Sequence, residues 1–276
     1  MELLKVYNQN LHTHGVLDDG KDEYEDTVKR AIELGFDCIG FAGHSHHAYS
    51  RACMTKEGTA AYKQEIARLK EKYAGVIDVY CGLELEAISP PEDLDPYDFV
   101  IGSVHYIHLG GGPVTIDCSI ERTRELVDEY FGGNGMGLVK QYYEELANLP
   151  NTIKRCDIVA HLDLIAKHAE HHDLFDTHSK EYRDYALMAL DALAEAYNVF
   201  EINTGAIARG YRSMAYPDPF ILKEIRKRNC NIVLSSDCHD KRYLNCYFNE
   251  MLALAKECGF REVLKYTKDG FVACPI

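Results

Sequence analysis

The sequence predicts a parallel α/β barrel, and three observations predict it. Short apolar runs of strand length alternate with amphipathic helical stretches in seven units, no linker, low-complexity tract or internal repeat interrupts them, and nearly every apolar run ends in a His, Asp or Glu. On the alternation alone, an open doubly wound sheet is the main rival. Residues 1–276 are read as one domain.

The elements follow in order. Residues 3–10 form the first strand candidate, and 22–34 the first helix, with acids in its first turn and Gly35 just past its end. Strands are predicted over 37–42 and 77–85, separated by a helix over 56–73 with one charged face. A strand over 99–105 precedes two helices, 119–131 and 138–149. Strands over 157–160, 199–202 and 232–235 alternate with helices over 180–196 and 218–229, and a closing helix spans 245–258.

Polar residues sit where these strands stop. His12 and His14 follow the first strand, His44 the second and Glu84 the third; His105 ends the fourth, His161 and Asp163 follow the fifth, and Asp237 and His239 the last. In a parallel barrel the C-terminal strand ends converge on one face, where active sites are built, so residues from opposite ends of the chain become neighbours.

Composition narrows the function class. With 276 residues, 46% hydrophobic and 27% charged, the chain can build a core that needs no disulfide. The ten cysteines include no Cys-x-x-Cys pair, and the N-terminus lacks the basic start and apolar run of a secretory signal. Reduced thiols in a cytoplasmic protein are expected. No apolar run approaches the roughly 18 residues of a membrane span. A net charge of −14 argues against a nucleic-acid binder, and an acidic substrate would need a local positive field from metals or arginines.

Residues i and i+2 of an extended strand point to one side, so His12 and His14 can grip one cation. Asp237-Cys238-His239 repeats the spacing, with Cys238 pointing away, and the segments 80–86, 98–105 and 157–163 add three more strand-end candidates. Imidazole and carboxylate without thiolate suit Zn, Mn or Fe. The donors exceed what one tetrahedral ion uses. Two or three divalent ions sharing a bridging carboxylate is the natural count, and metal pairs roughly 3.5–4 Å apart serve phosphoester hydrolysis.

Six segments in order, Leu11-His12-Thr13-His14, Gly82-Leu83-Glu84, Gly102-Ser103-Val104-His105, Ala160-His161-Leu162-Asp163, Glu201-Ile202-Asn203-Thr204 and Ser235-Ser236-Asp237-Cys238-His239, carry a specific resemblance over residues 10–240. The chain resembles the polymerase-and-histidinol-phosphatase (PHP) family, most closely its monofunctional histidinol-phosphate phosphatase branch. The resemblance implies a distorted seven-stranded (β/α)7 TIM-like barrel with a trinuclear site. His12, His14, Glu84 and Asp237 would hold the first metal. Glu84 would bridge to a second held by His105 and His161, and Asp19, His44 and His239 would hold a third. One departure stands out. The family places an acid directly before the histidine after its second strand, and here Gly43 precedes His44, so that carboxylate is missing or comes from elsewhere. His46 and His47, crowding the same loop, read as solvated loop residues, with a further ligand as the alternative.

The reaction expected is phosphomonoester hydrolysis by a metal-bridging hydroxide, with Asp237 or His239 protonating the leaving oxygen. Arg209 and Arg212, in the loop after the strand ending at Ile202, are the expected phosphate clamp, Arg209 first. The resemblance points to L-histidinol phosphate, a small substrate of histidine biosynthesis whose cationic amine would suit an acidic pocket near Glu86 and Asp163. Three other readings stand beside it. A PHP-type nuclease or nucleotide phosphatase would carry more basic surface, a metal-dependent amidohydrolase a bridging lysine, and a non-enzymatic metal-bearing module an incomplete ligand set.

Overall fold

The computed structural model of the protein describes residues 7–276. The elements are β1 (Gln9–Asn10), α1 (Tyr24–Glu33), β2 (Cys38–Phe41), α2 (Lys56–Lys72), β3 (Asp78–Glu86), β4 (Phe99–Ser103), β5 (Tyr106–Leu109) and β6 (Gly112–Thr115). There follow α3 (Ile120–Phe131), α4 (Gly135–Ala147), α5 (Leu149–Thr152), β7 (Ile158–Val159), α6 (Lys180–Ala196), β8 (Val199–Asn203), α7 (Gly205–Ala208), α8 (Pro219–Lys227), β9 (Asn231–Ser235), α9 (Phe248–Glu257), β10 (Glu262–Thr267) and β11 (Gly270–Pro275). Every predicted strand and helix has a counterpart. Of the predicted first strand, residues 3–6 lie outside the described residues.

Seven strands pair in parallel in the order β1-β2-β3-β4-β7-β8-β9, forming a nearly closed barrel with helices outside it. The seam between β9 and β1 makes it distorted. There, among the described residues, the backbones bond beyond the strands, where Cys238 N–H donates to His12 O at 3.0 Å and His14 N–H to Cys238 O at 2.9 Å. Lower on the seam the Tyr7 hydroxyl substitutes for a strand, donating to Leu234 O at 2.8 Å and accepting from Leu234 N–H at 2.9 Å. The seam thus ties the two segments that carry His12, His14, Asp237 and His239.

Two hairpins lie outside the barrel order. β5–β6 follows β4 through an antiparallel register, and the predicted strand over 99–105 therefore stops at Ser103. The chain does not end on a helix as predicted; β10–β11 follows α9. Leu264, Tyr266 and Phe271 of this last hairpin pack on the interior cluster that includes Leu11, Phe99 and Ile101. Tyr266 N–H donates to the Gln9 side chain at 2.9 Å and its hydroxyl to Asp98 O at 2.6 Å, both at strand starts. The hairpin therefore covers the N-terminal mouth and leaves the C-terminal mouth for the site.

Helix starts are locally specified. The side chains of Ser119, Ser179 and Asp218 accept the N–H of Arg122, Tyr182 and Phe220, capping α3, α6 and α8. No helix among the described residues is long and apolar enough to cross a membrane.

Phe99 fills the barrel centre, and two glycines on neighbouring strands make room for it. A Cβ on Gly40 would stand 2.7 Å from the Phe99 ring, and one on Gly82 would stand 2.3 Å from it. Gly82→Ala is therefore expected to destabilise the fold by about 1–3 kcal/mol through overpacking. A thermal melt checks this, and an unchanged Tm would mean that the interior is loose.

Candidate metal centre

The strand ends bring their donors together around one buried carboxylate. Glu84, the seventh residue of β3, is 1% exposed and lies between two groups of imidazoles. Its Oε2 faces His12 Nε2 at 3.3 Å, His14 Nε2 at 3.6 Å and His44 Nδ1 at 2.8 Å. Its Oε1 faces His161 Nε2 at 3.1 Å and His105 Nε2 at 3.6 Å. Asp237 completes the first group, its Oδ1 lying 3.3 Å from His14 Nε2 and 3.7 Å from His12 Nε2. Asp19 Oδ1 lies 3.0 Å from His239 Nε2 and 3.6 Å from His44 Nε2. All nine predicted ligands thus share one cluster. Donor atoms of His14, Asp19, His44 and His239 lie within 4.8 Å of one another, as do those of His12, His14 and Glu84, and those of His44, Glu84 and His105.

Carboxylates behind the histidines set which ring nitrogen faces inward. Glu201 Oε1 takes the His12 Nδ1 proton at 2.7 Å, Asp18 Oδ2 that of His14 at 2.6 Å and Glu86 Oε2 that of His105 at 2.8 Å. Glu201 is held in turn by the Ser235 hydroxyl, the Asn203 amide and the His161 N–H. With Nδ1 protonated, each neutral ring turns a lone pair at Nε2 toward Glu84. The inner atoms His12 Nε2, His14 Nε2 and Glu84 Oε2 are buried without a hydrogen-bond partner. Such facing donors in a dry interior call for positive charge among them, which a divalent ion supplies or, without one, a second proton on the rings. Their spacings of 3.3 and 3.6 Å also suit donors around a common ion, since tetrahedral ligands at zinc distance stand about 3.3–3.5 Å apart. The donor set therefore fits divalent metal.

The electrostatics agree. Burial opposes charge on His12, but Glu201, Glu84 and Asp237 raise its pKa well above the ordinary imidazole value. For His14, burial again opposes, and Asp18 with Asp237 still holds the ring up at about 9. Burial would raise Glu84, yet His44, His12 and His105 bring it well below the usual carboxylate range. The centre is a field that holds positive charge.

The two arginines part company. Arg209 Nη1 donates to Asp237 O and Nη2 to Asp237 Oδ2, both at 3.0 Å, with His239 Nδ1 3.2 Å from Nη1. It stands at the rim of the cluster. Arg212 turns away: its Nη1 donates to Asp163 Oδ2 at 3.3 Å and its guanidinium lies 4.7 Å from the Tyr216 ring centroid. Asp163 Oδ2 also accepts the Asp218 N–H at 3.0 Å, so neither it nor Arg212 is turned toward the donors. Gly210, with φ +74°, redirects the chain between the two arginines. His46 binds Met54 O at 3.0 Å, and His47 is buried with its ring 4.9 Å from that of Tyr106, so His47 is not the solvated residue expected.

Asp237 differs from expectation in conformation. Its φ of +46° departs from an extended strand, and the left-handed turn itself aims both Asp237 and His239 inward. Glu201 had a signal in the sequence, as one charged residue inside the apolar run Val199-Phe200-Glu201-Ile202. A cavity of about 130 Å³ opens beside the donors and is lined by Asp19, His44, Glu86, His105, Tyr106 and Asp117, among others.

Comparison with known proteins places the fold. The chain is 24% identical to the histidinol-phosphatase of Bacillus subtilis over 83% of its own length and 92% of the relative's. It is 24% identical to that of Lactococcus lactis over 96% and 95%. The solved histidinol phosphate phosphatase of Lactococcus lactis, complexed with Zn, L-histidinol and phosphate, superposes with a TM-score of 0.74 at 21% identity, covering 96% of this chain and 98% of that one. The PHP domain model matches residues 9–205, a span that carries His12, His14, Asp19, His44, Glu84, His105 and His161, and the chain belongs to the PHP domain family.

Proposed function

We propose that the chain is a metal-dependent phosphomonoesterase that hydrolyses L-histidinol phosphate to L-histidinol and phosphate. The observation that carries this reading is Glu84, whose two oxygens face separate histidine groups as a bridging carboxylate does. The relatives named histidinol-phosphatase, which match over nearly the whole chain, support the substrate.

His12, His14, Glu84 and Asp237 would hold one ion, His105 and His161 with Glu84 a second, and Asp19, His44 and His239 a third. Zn, Mn or Fe bound there supplies Lewis acidity at the phosphoryl oxygens and an activated water at neutral pH. The protein groups do the rest. Arg209 neutralises charge on the equatorial oxygens from the rim, a placement supported by its contacts with Asp237 and His239. His239, with Nδ1 3.4 Å from Asp237 Oδ1, would carry the proton that the leaving alkoxide needs, and the ionised Asp237 carboxylate would orient it. Arg212 and Asp163 brace the segment after His161. Glu86 and Asp117 line the cavity on the side proposed for the substrate's cationic amine, Glu86 accepting from His105 at 2.8 Å and Asp117 paired with Lys167 at 2.7 Å.

The test is phosphate release from histidinol phosphate against nucleotides, sugar phosphates and a short DNA, with added Mn, Zn or Fe and after chelation. Metal-dependent turnover selective for histidinol phosphate is expected, with chelation abolishing it. Preference for another monoester would overturn the substrate, and inactivity on all of them with metal bound would overturn the enzymatic reading.

A further inference from the structure

Asp18 lies in the loop after β1, yet it organises the loop after β2 as well. Its side chain is wholly buried. Oδ2 accepts the His14 Nδ1 proton at 2.6 Å and the His44 N–H at 3.1 Å, while Oδ1 accepts the Gly15 N–H at 3.0 Å. One carboxylate therefore orients the His14 ring and fixes the backbone of His44 relative to it. Both are donors of the four-residue group with Asp19 and His239.

Gly43 is the counterpart of this carboxylate. A Cβ on Gly43 would stand 3.2 Å from Asp18 Oδ2 and 3.2 Å from Met54 Sδ. The residue is not among the glycines with positive φ, so its backbone does not call for glycine. Space does. A side chain at 43 would point at the spot that the Asp18 carboxylate fills. From a Cβ there, an aspartate's own oxygens reach about 2.4 Å further, far enough to take up the position of Asp18 Oδ2, 3.2 Å away.

We propose that Asp18 is the positioning residue for His14 and His44, and that Asp18 and Gly43 form an exchangeable pair in which either position can supply the one buried carboxylate. The proposal rests on the reading of the cluster as a metal centre, not on the substrate. It accounts for the acid missing before His44: the carboxylate comes from the neighbouring loop, and the glycine is the room it needs.

The test compares wild type, Asp18→Ser, and the double variant Asp18→Ser with Gly43→Asp. Zinc and manganese binding to the metal-stripped proteins is titrated calorimetrically, and ions retained after dialysis are counted by elemental analysis. Melting of each metal-stripped protein reports the fold. Asp18→Ser is expected to weaken at least one ion about 10–100-fold, the usual loss when a ligand's orienting partner goes. The double variant is expected to recover most of that loss. If Asp18→Ser fails to fold, Asp18→Asn keeps the shape and an oxygen for the backbone N–H groups, and the same weakening is expected of it. Wild-type binding by the folded single variant overturns the proposal, as does a folded double variant no better than the single one. A wild-type chain that binds no divalent ion overturns the metal reading itself, before any variant is compared. Inactivity on histidinol phosphate with normal metal binding touches only the substrate.

Discussion

Glu84→Gln is expected to leave a folded chain that has lost part of its metal and turns over histidinol phosphate about 10³-fold more slowly or worse. The magnitude follows from the several kcal/mol of transition-state stabilisation that bound cations supply, at about 1.4 kcal/mol per tenfold. The direction follows from the geometry. Oε1 and Oε2 each face their own histidines at 2.8–3.6 Å. A carboxylate presents lone pairs to both sides, whereas an amide must turn its NH₂ toward one of them. That side then meets a donor where a ligand is required. Volume is unchanged but the buried charge that Glu84 shares with His12, His44 and His105 is lost, so the metal-stripped variant should stay folded and melt below wild type. Elemental analysis with kcat on the metal-loaded variant is the check. Full metal content with wild-type kcat would show that Glu84 is not the bridge.

Much of this centre was legible because its donors obey one rule, a polar side chain just past an apolar strand. His12, His14, His44, Glu84, His105 and His161 could be read that way, and the polar strand ends together with the alternation of strands and helices pointed to the barrel. What escaped lies where local geometry departs from an extended strand. Asp163 sits two residues after His161, and extended backbone would point both inward. Instead the chain turns into a short 3-10 helix at Leu164, and Asp163 is left facing Arg212 and the start of α8. Arg209 and Arg212 differ by one bend at Gly210. The hairpins β5–β6 and β10–β11 escaped because their antiparallel pairing breaks the strand-helix alternation from which the barrel is read. Asp18 and Glu201 escaped as orienting groups because their partners, His14 at i−4 and His12 across the barrel, are set by tertiary packing.

Arg209→Ala is expected to lower kcat/KM for histidinol phosphate about 10²–10³-fold, the loss typical when one preorganised donor to developing charge is removed. Two roles must be separated, because Arg209 also holds Asp237 through its backbone and side-chain oxygens. Burial works against the guanidinium's charge, but Asp237 more than compensates, so the cation is permanent. If Arg209 acts on the phosphoryl group, the alanine variant keeps its metal and loses rate, and Arg209→Lys, with charge but no planar fork, lands between the two. If instead its main work is to align Asp237, the alanine variant loses metal along with rate, and excess metal restores turnover. Gly205 leaves the room that this position of the guanidinium needs, since a Cβ there would stand 2.7 Å from Arg209 Nη2. A preorganised cation at the rim of a metal cluster has its largest effect on charge that develops during the reaction. The expected signature is therefore loss in kcat at constant metal content, and kinetics near wild type would remove Arg209 from the mechanism.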